Sequence, residues 1–264
     1  MPLFSSPRIA VMELFGVLGA PSRTVENIRL LQSLRENDAV RSVVIDIDSP
    51  GGTVAASDYL HRSVRKLAEK KPVIAFIRGT GASGGYMVSC AATRIVALPT
   101  AIVGSIGVIS VRPLVYELLD KVGVKVSVTK SGRLKDMWSA FREPTEEEKQ
   151  REQALLDEFY ETFIRVVVDG RKLPPDDVRA LATGEVFTAV RAKEMNLLDE
   201  LGDLDTAIDM AAELGKTPRK VRYVRPKRNL RSLLMSRFAS ALVEEVSLRL
   251  EQSLRPRIDY RRHP

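Results

Sequence analysis

Two glycine-rich turns, each placed after an apolar run of strand length, constrain the fold of this 264-residue chain more than any other feature. Val40–Ile47 leads into Asp48-Ser49-Pro50-Gly51-Gly52. Val73–Ile77 leads into Gly79-Thr80-Gly81-Ala82-Ser83-Gly84-Gly85-Tyr86, and a helical pattern follows each turn. Strand, tight turn and helix, repeated, is the signature of an α/β chain with a mainly parallel sheet. Both turns then fall at the carboxyl ends of neighbouring strands, where open α/β sheets place their ligands.

Further strand-like runs lie at Ile9–Val17, Ile95–Ala97 and Val124–Val128, with helical patterns at Thr24–Arg35, Ser57–Glu69 and Leu114–Val122. A longer helix is expected to start at Thr145, where Thr145-Glu146-Glu147-Glu148 has the capping-box form, and to run toward Gly170. Shorter helices are expected near Asp176–Ala182 and Ala189–Met195. Beyond the two prolines of Lys216–Arg228, apolar residues recur every four positions from Leu230 to Leu254 and predict a C-terminal helix.

The charge distribution argues against a nucleic-acid protein. The net charge of +7 resides in the end of the chain: Thr217–Pro264 carries 13 Lys+Arg against 4 Asp+Glu, which leaves the rest at about −2. A basic tail on a near-neutral body suits an anionic membrane surface. One cysteine, Cys90, and two histidines, His61 and His263, leave no disulfide and no usual zinc set, so neither cofactor nor metal is expected. Met1–Pro7 contains no long apolar run, so the expected location is cytoplasmic or peripheral to a membrane.

The second turn admits three readings. As G-x-G-x-x-G (Gly79, Gly81, Gly84) it would cradle a dinucleotide, but the acidic residue that should follow is absent from Ala97–Ser110. As G-x-S-x-G (Gly81, Ser83, Gly85) it is a nucleophile elbow, which ordinarily needs a later histidine; only His263 qualifies. Taken alone, it is a glycine-rich connection and nothing more. The first turn favours chemistry, because the N–H of Gly51 (or Gly52) and that of Gly84 then suggest an oxyanion hole. With histidine excluded, a desolvated lysine is the remaining base. Spacing alone does not choose Lys135 over Lys121, Lys125 or Lys130.

Four stretches together resemble the signal peptide peptidase A family: Asp48-Ser-Pro-Gly-Gly52, Ala82-Ser-Gly-Gly-Tyr86, Gly104-Ser-Ile-Gly-Val108 and Lys135-Asp-x-x-Ser139-x-x-Arg142-x-x-Thr145. The resemblance implies a crotonase/Clp-protease-like spiral of ββα units and a serine endopeptidase with a Ser-Lys dyad. In it Ser83 is the nucleophile, Lys135 the general base, Ser105 the hydroxyl that positions the lysine, and Gly51 and Gly84 the oxyanion donors. It also implies apolar, signal-peptide-remnant-like peptide substrates and a homo-oligomeric ring whose active sites form at subunit interfaces. Asp48, Met87 and Ala140 depart from the family's usual asparagine, second tyrosine and proline.

The expected organisation is a peptidase domain over residues 1–215, a basic proline-containing linker over 216–229, and a helix with a basic tail over 230–264. Competing readings are an elbow-type esterase using His263, a non-catalytic scaffold of the same fold that holds an anionic partner with its tail, and a thioester enzyme of the crotonase type.

Overall fold

In a computed structural model, residues 8–226 are described, and the predicted C-terminal helix and tail lie outside them. The chain runs β1 (Arg8–Phe15), α1 (Pro21–Glu36), β2 (Val40–Ser49), α2 (Val54–Ala68), β3 (Val73–Ala82) and α3 (Gly84–Ser89). It continues with β4 (Arg94–Ala97), β5 (Ile102–Gly104), α4 (Tyr116–Lys121), α5 (Glu146–Arg171) and α6 (Pro175–Leu181). Last come β6 (Val186–Thr188), α7 (Ala189–Glu194), β7 (Glu200–Leu201), α8 (Leu204–Leu214) and β8 (Val221–Val224).

One sheet gathers the strands in the order β6-β5-β3-β2-β1-β8, with β4 branching from β3 and β7 from β4. Every pairing is parallel except β5 with β6. The central strands are apolar on both faces because both are covered. On one face Ala10, Val43, Ile45 and Ala75 pack beneath α1, α2 and α3; on the other Ile9, Val11, Val44, Ile74 and Phe76 lie under Ala207, Ile208 and Ala211 of α8. Continuous apolar runs such as Val73-Ile-Ala-Phe-Ile77 follow from that double burial.

Strand β3 is the element that places the site. Its first half pairs with β4 (Ile74↔Arg94 to Ile77↔Ala97) and its second half with β5 (Thr80↔Ile102 to Ala82↔Gly104). The strand thus changes neighbours midway and carries its end beyond β4. The mixed, mostly parallel sheet agrees with the expected Clp-protease-like class.

Two local expectations are corrected. Val124–Val128 forms no strand: the three valines keep their alternation but are 45–52% exposed, and no described strand lies alongside to complete a ladder. The stretch expected to be linker from residue 216 contains β8, which pairs in parallel with β1 through Ile9↔Val221 to Met12↔Val224. Among the described residues no helix is long and apolar enough to cross a membrane.

Candidate active site

Ser83 stands where β3 ends and α3 begins, with φ 50° and ψ −122°. For a residue with a Cβ this is a costly backbone conformation, and it is held from both sides. The Ser83 N–H donates to Gly104 O at 2.8 Å, and its carbonyl accepts from Met87 N–H at 2.9 Å. The turn therefore lifts the side chain out of the sheet, as the elbow pattern predicted.

The elements around it meet only because glycine leaves room. A Cβ on Gly51, whose φ is +102°, would lie 2.7 Å from Gly84 N and 2.9 Å from Ser83 Cβ. A Cβ on Gly84 would lie 2.0 Å from Ser57 Oγ. The first glycine turn, α2 and the start of α3 are thus in direct contact, which joins the two motifs that the sequence separates by about thirty residues.

Ser83, Gly84, Ser57 and Ser105 line a cleft of about 530 Å³, with Met87, Val108, Phe159 and Phe163 as apolar lining and Ala182, Thr183 and Gly184 contributing as well. Ser105, also at positive φ (51°), donates its N–H to Glu185 O at 2.7 Å, which ties the turn after β5 to the approach to β6. Among the backbone N–H groups of the cleft, those of Gly52 and Gly84 have no protein acceptor among the described residues. The Gly51 N–H is occupied, donating to Ser49 Oγ at 3.1 Å. The free amide of this turn is therefore that of Gly52, because the Ser49 hydroxyl turns back on the Gly51 amide and is itself fixed by Gly16 O at 2.7 Å.

Lys135 is not a lining residue of this cleft. It lies exposed in the turns between α4 and α5, where its N–H donates to Gly132 O at 3.1 Å. Asp48, which departs from the family's usual asparagine, has its carboxylate engaged at the neighbouring strand: Oδ1 accepts from Thr80 N–H at 2.9 Å.

Neither histidine completes a triad among the described residues. His263 lies outside them, and the Nδ1–H of His61, buried on α2, donates to Met87 O at 2.9 Å. Burial holds the His61 imidazole below its ordinary value of about 6.5, overriding the carbonyl that favours the charged form. The unfolded chain therefore binds a proton that the folded one resists, so this contribution to stability is whole above about pH 6.5 and is lost as pH falls toward the depressed folded value. The urea midpoint of the wild type should fall between pH 7.5 and 5.5 more steeply than that of His61→Asn. Equal slopes would remove His61 from the acid response.

Ser57, Phe159 and Phe163 are among the lining residues that the sequence did not single out. The expected helix starts at Ser57, but α2 begins at Val54, capped by Thr53 Oγ1 accepting from Ala56 N–H at 3.4 Å, so Ser57 sits inside the helix with its hydroxyl donating to Thr53 O. The available signal was Thr53 itself, an N-cap residue directly after the glycines. Phe159 and Phe163 belong to the helix expected from Thr145 toward Gly170, and only the tertiary fold brings them to the cleft.

The profile of peptidase family S49 matches residues 65–217, a span that includes Ser83, Ser105 and Lys135. The chain belongs to peptidase family S49. It is 39% identical over 198 residues to a protein of Methanocaldococcus jannaschii named as a protease, covering 74% of this chain and 64% of that protein. It is 33% identical over 228 residues to the chloroplastic serine protease SPPA of Arabidopsis thaliana, covering 83% of this chain and 34% of that one. The S49 chain thus spans less than two thirds of these relatives' length. In fold it is similar to a solved membrane-bound stomatin-specific protease, with a TM-score of 0.55 at 15% identity over 85% of this chain and all of the other. The resemblance to the signal peptide peptidase A family read from the four motifs therefore holds, and S49 membership makes this a peptidase-family chain.

Proposed function

We propose that this S49 chain is a serine endopeptidase in which Ser83 attacks the scissile carbonyl and Lys135 of a neighbouring copy is the general base. The observation that carries the reading is Ser83 held at a strained strand-to-helix turn in a cleft that also contains Ser105 and the unengaged backbone N–H groups of Gly52 and Gly84. Strain at a half-buried serine that lines a cleft is difficult to account for by packing alone.

In the acylation step the neutral Lys135 amine takes the Ser83 hydroxyl proton as Oγ bonds to the carbonyl carbon. The oxyanion is received by the Gly84 N–H and that of Gly52, in the place first assigned to Gly51. Ser105 orients the amine. The intermediate collapses with the lysine's proton passing to the leaving nitrogen, and water, deprotonated in its turn by Lys135, releases the acyl group. Every step uses groups of the protein and water.

Supply of the lysine by a second copy is supported by the segment that carries it. Ile109, Val111, Leu118, Val122 and Trp138 are 56–84% exposed, and Lys135 belongs to the same stretch of chain; so many exposed apolar side chains in one segment are of a kind that marks an interface. Docking of that segment beside the cleft would also remove water from the amine, which a neutral lysine requires. The cleft wall of Met87, Val108, Phe159 and Phe163 suits apolar side chains of an extended peptide, the remnant-like substrates of the family resemblance.

A fluorophosphonate that phosphonylates active-site serines tests the nucleophile directly. The wild type should gain one adduct, on the peptide containing Ser83, and Ser83→Ala should gain none. Labelling elsewhere with Ser83 untouched would refute the assignment.

A further inference from the structure

Lys135 would be a poor base if its turn were free to move, since it projects from a stretch without regular secondary structure between α4 and α5. The structure shows what holds that turn. The Arg142 guanidinium donates from Nε to Asp136 Oδ2 at 3.1 Å and from Nη2 to the Asp136 backbone carbonyl at 3.2 Å. It therefore grips the residue next to Lys135 by both side chain and main chain. Its other edge donates from Nη1 and Nη2 to the two carboxylate oxygens of Glu148, the first at 2.8 Å. Glu148 is buried, and its Oε2 also accepts the Thr145 N–H at 2.9 Å as half of the capping box of α5.

Each residue of this chain of contacts suits its place physically. A bidentate guanidinium between two carboxylates is a rigid fork that an ammonium cannot reproduce. Glu148, at the amino end of a 26-residue helix, also benefits from the helix dipole, and the Arg142 hydrogen bonds hold its carboxyl down at about 2. Asp136 has a second cationic partner, Lys130, and its carboxyl is held below the usual range chiefly by the Arg142 hydrogen bond. Helix α5 is in turn the helix that contributes Phe159 and Phe163 to the cleft.

We infer that Asp136, Arg142 and Glu148 form a positioning clamp for the general base, fastening the turn that carries Lys135 to the capped end of α5. The clamp has an electrostatic side as well. Asp136 adjoins Lys135 in sequence, and an unpaired carboxylate there would favour the charged ammonium over the neutral amine; pairing with Arg142 and Lys130 counters that field. The inference rests on Lys135 being the base.

The test uses the full-length chain with a short apolar fluorogenic peptide, comparing wild type, Lys135→Ala, Arg142→Gln, Arg142→Lys and Asp136→Asn, each checked for retained melting temperature and oligomer size. Arg142→Gln should lower kcat about 100-fold with KM changed little, because a small misplacement of a catalytic group has an effect of that order. The acid limb of its kcat/KM profile should move to higher pH, which a merely structural lesion would not produce. Arg142→Lys should recover part of the loss, and Asp136→Asn, which keeps the shape, reports on the clamp if Arg142→Gln does not fold. A silent Lys135→Ala beside folded Arg142→Gln and Asp136→Asn with wild-type kcat and acid limb would overturn the clamp and leave the dyad standing. An active Lys135→Ala would overturn both.

Discussion

Ser83→Ala and Lys135→Ala should each lower kcat/KM on an apolar peptide by about 10⁴-fold or more while leaving the melting temperature near that of the wild type. For Ser83 the reasoning is direct, since without Oγ there is no acyl-enzyme and only binding and the oxyanion amides remain. Stability should hold or rise, because alanine keeps the turn and Ser83 contributes its backbone N–H and carbonyl to the fold. Lys135 is exposed, so its truncation leaves no buried partner unsatisfied. A combined loss in the double variant no greater than that of either single variant would show that the two act as a unit. Full activity in either single variant would dismiss that residue from the chemistry.

Gly84→Ala should be the second severe lesion, through space and not through conformation. Gly84 sits in α3 at ordinary helical φ, so alanine suits the backbone, but its Cβ would lie 2.0 Å from Ser57 Oγ and 2.9 Å from Ser57 Cβ. Turning the hydroxyl away removes the first clash and leaves the second. Ser57 is held on α2, so the start of α3 must move, and with it the Gly84 N–H and the adjoining Ser83. Losing one aimed oxyanion donor lowers kcat by about 10²–10³-fold, and a similar loss is expected here. Adding Ser57→Gly, which takes away both clashing atoms, should restore a substantial part of it; two contacting residues should couple in this way. Wild-type kcat in Gly84→Ala alone would show that the amide is not used.

Much of the frame was legible in the sequence because the strongest signals are local. Val73–Ile77 is continuously apolar because β3 is covered on both faces, and Thr145 with Glu148 announced the start of α5 through contacts only three residues apart. What escaped depends on partners distant in sequence. Strands β5, β6 and β7 have only two or three residues and exist because β3, β5 and β4 offer them edges. Val221–Val224, set among prolines and charges, becomes β8 only because β1 lies open beside it. The reverse holds for Val124–Val128, whose alternation is that of a strand but which finds no described neighbour.

The site divides in the same way. The strained turn at Ser83 and the close approach of Gly51 to Gly84 were announced by residue type, since glycine has few other reasons to cluster there. The Ser105 turn came from the family resemblance, as did the choice of Lys135 among four lysines, and no distance within one copy supplies that choice. Which amide of the Gly51-Gly52 pair stays free was decided by Ser49, whose hydroxyl carries no sequence signal of facing the turn.

The most direct test of the central claim, that nucleophile and base come from two copies of this chain, is to mix inactive Ser83→Ala with inactive Lys135→Ala and measure peptide hydrolysis. If sites form between copies and the copies exchange at random, about a quarter of the sites pair an intact Ser83 with an intact Lys135, and activity should return to about that fraction of wild type. A mixture that stays silent after subunit exchange has been verified would contradict the account.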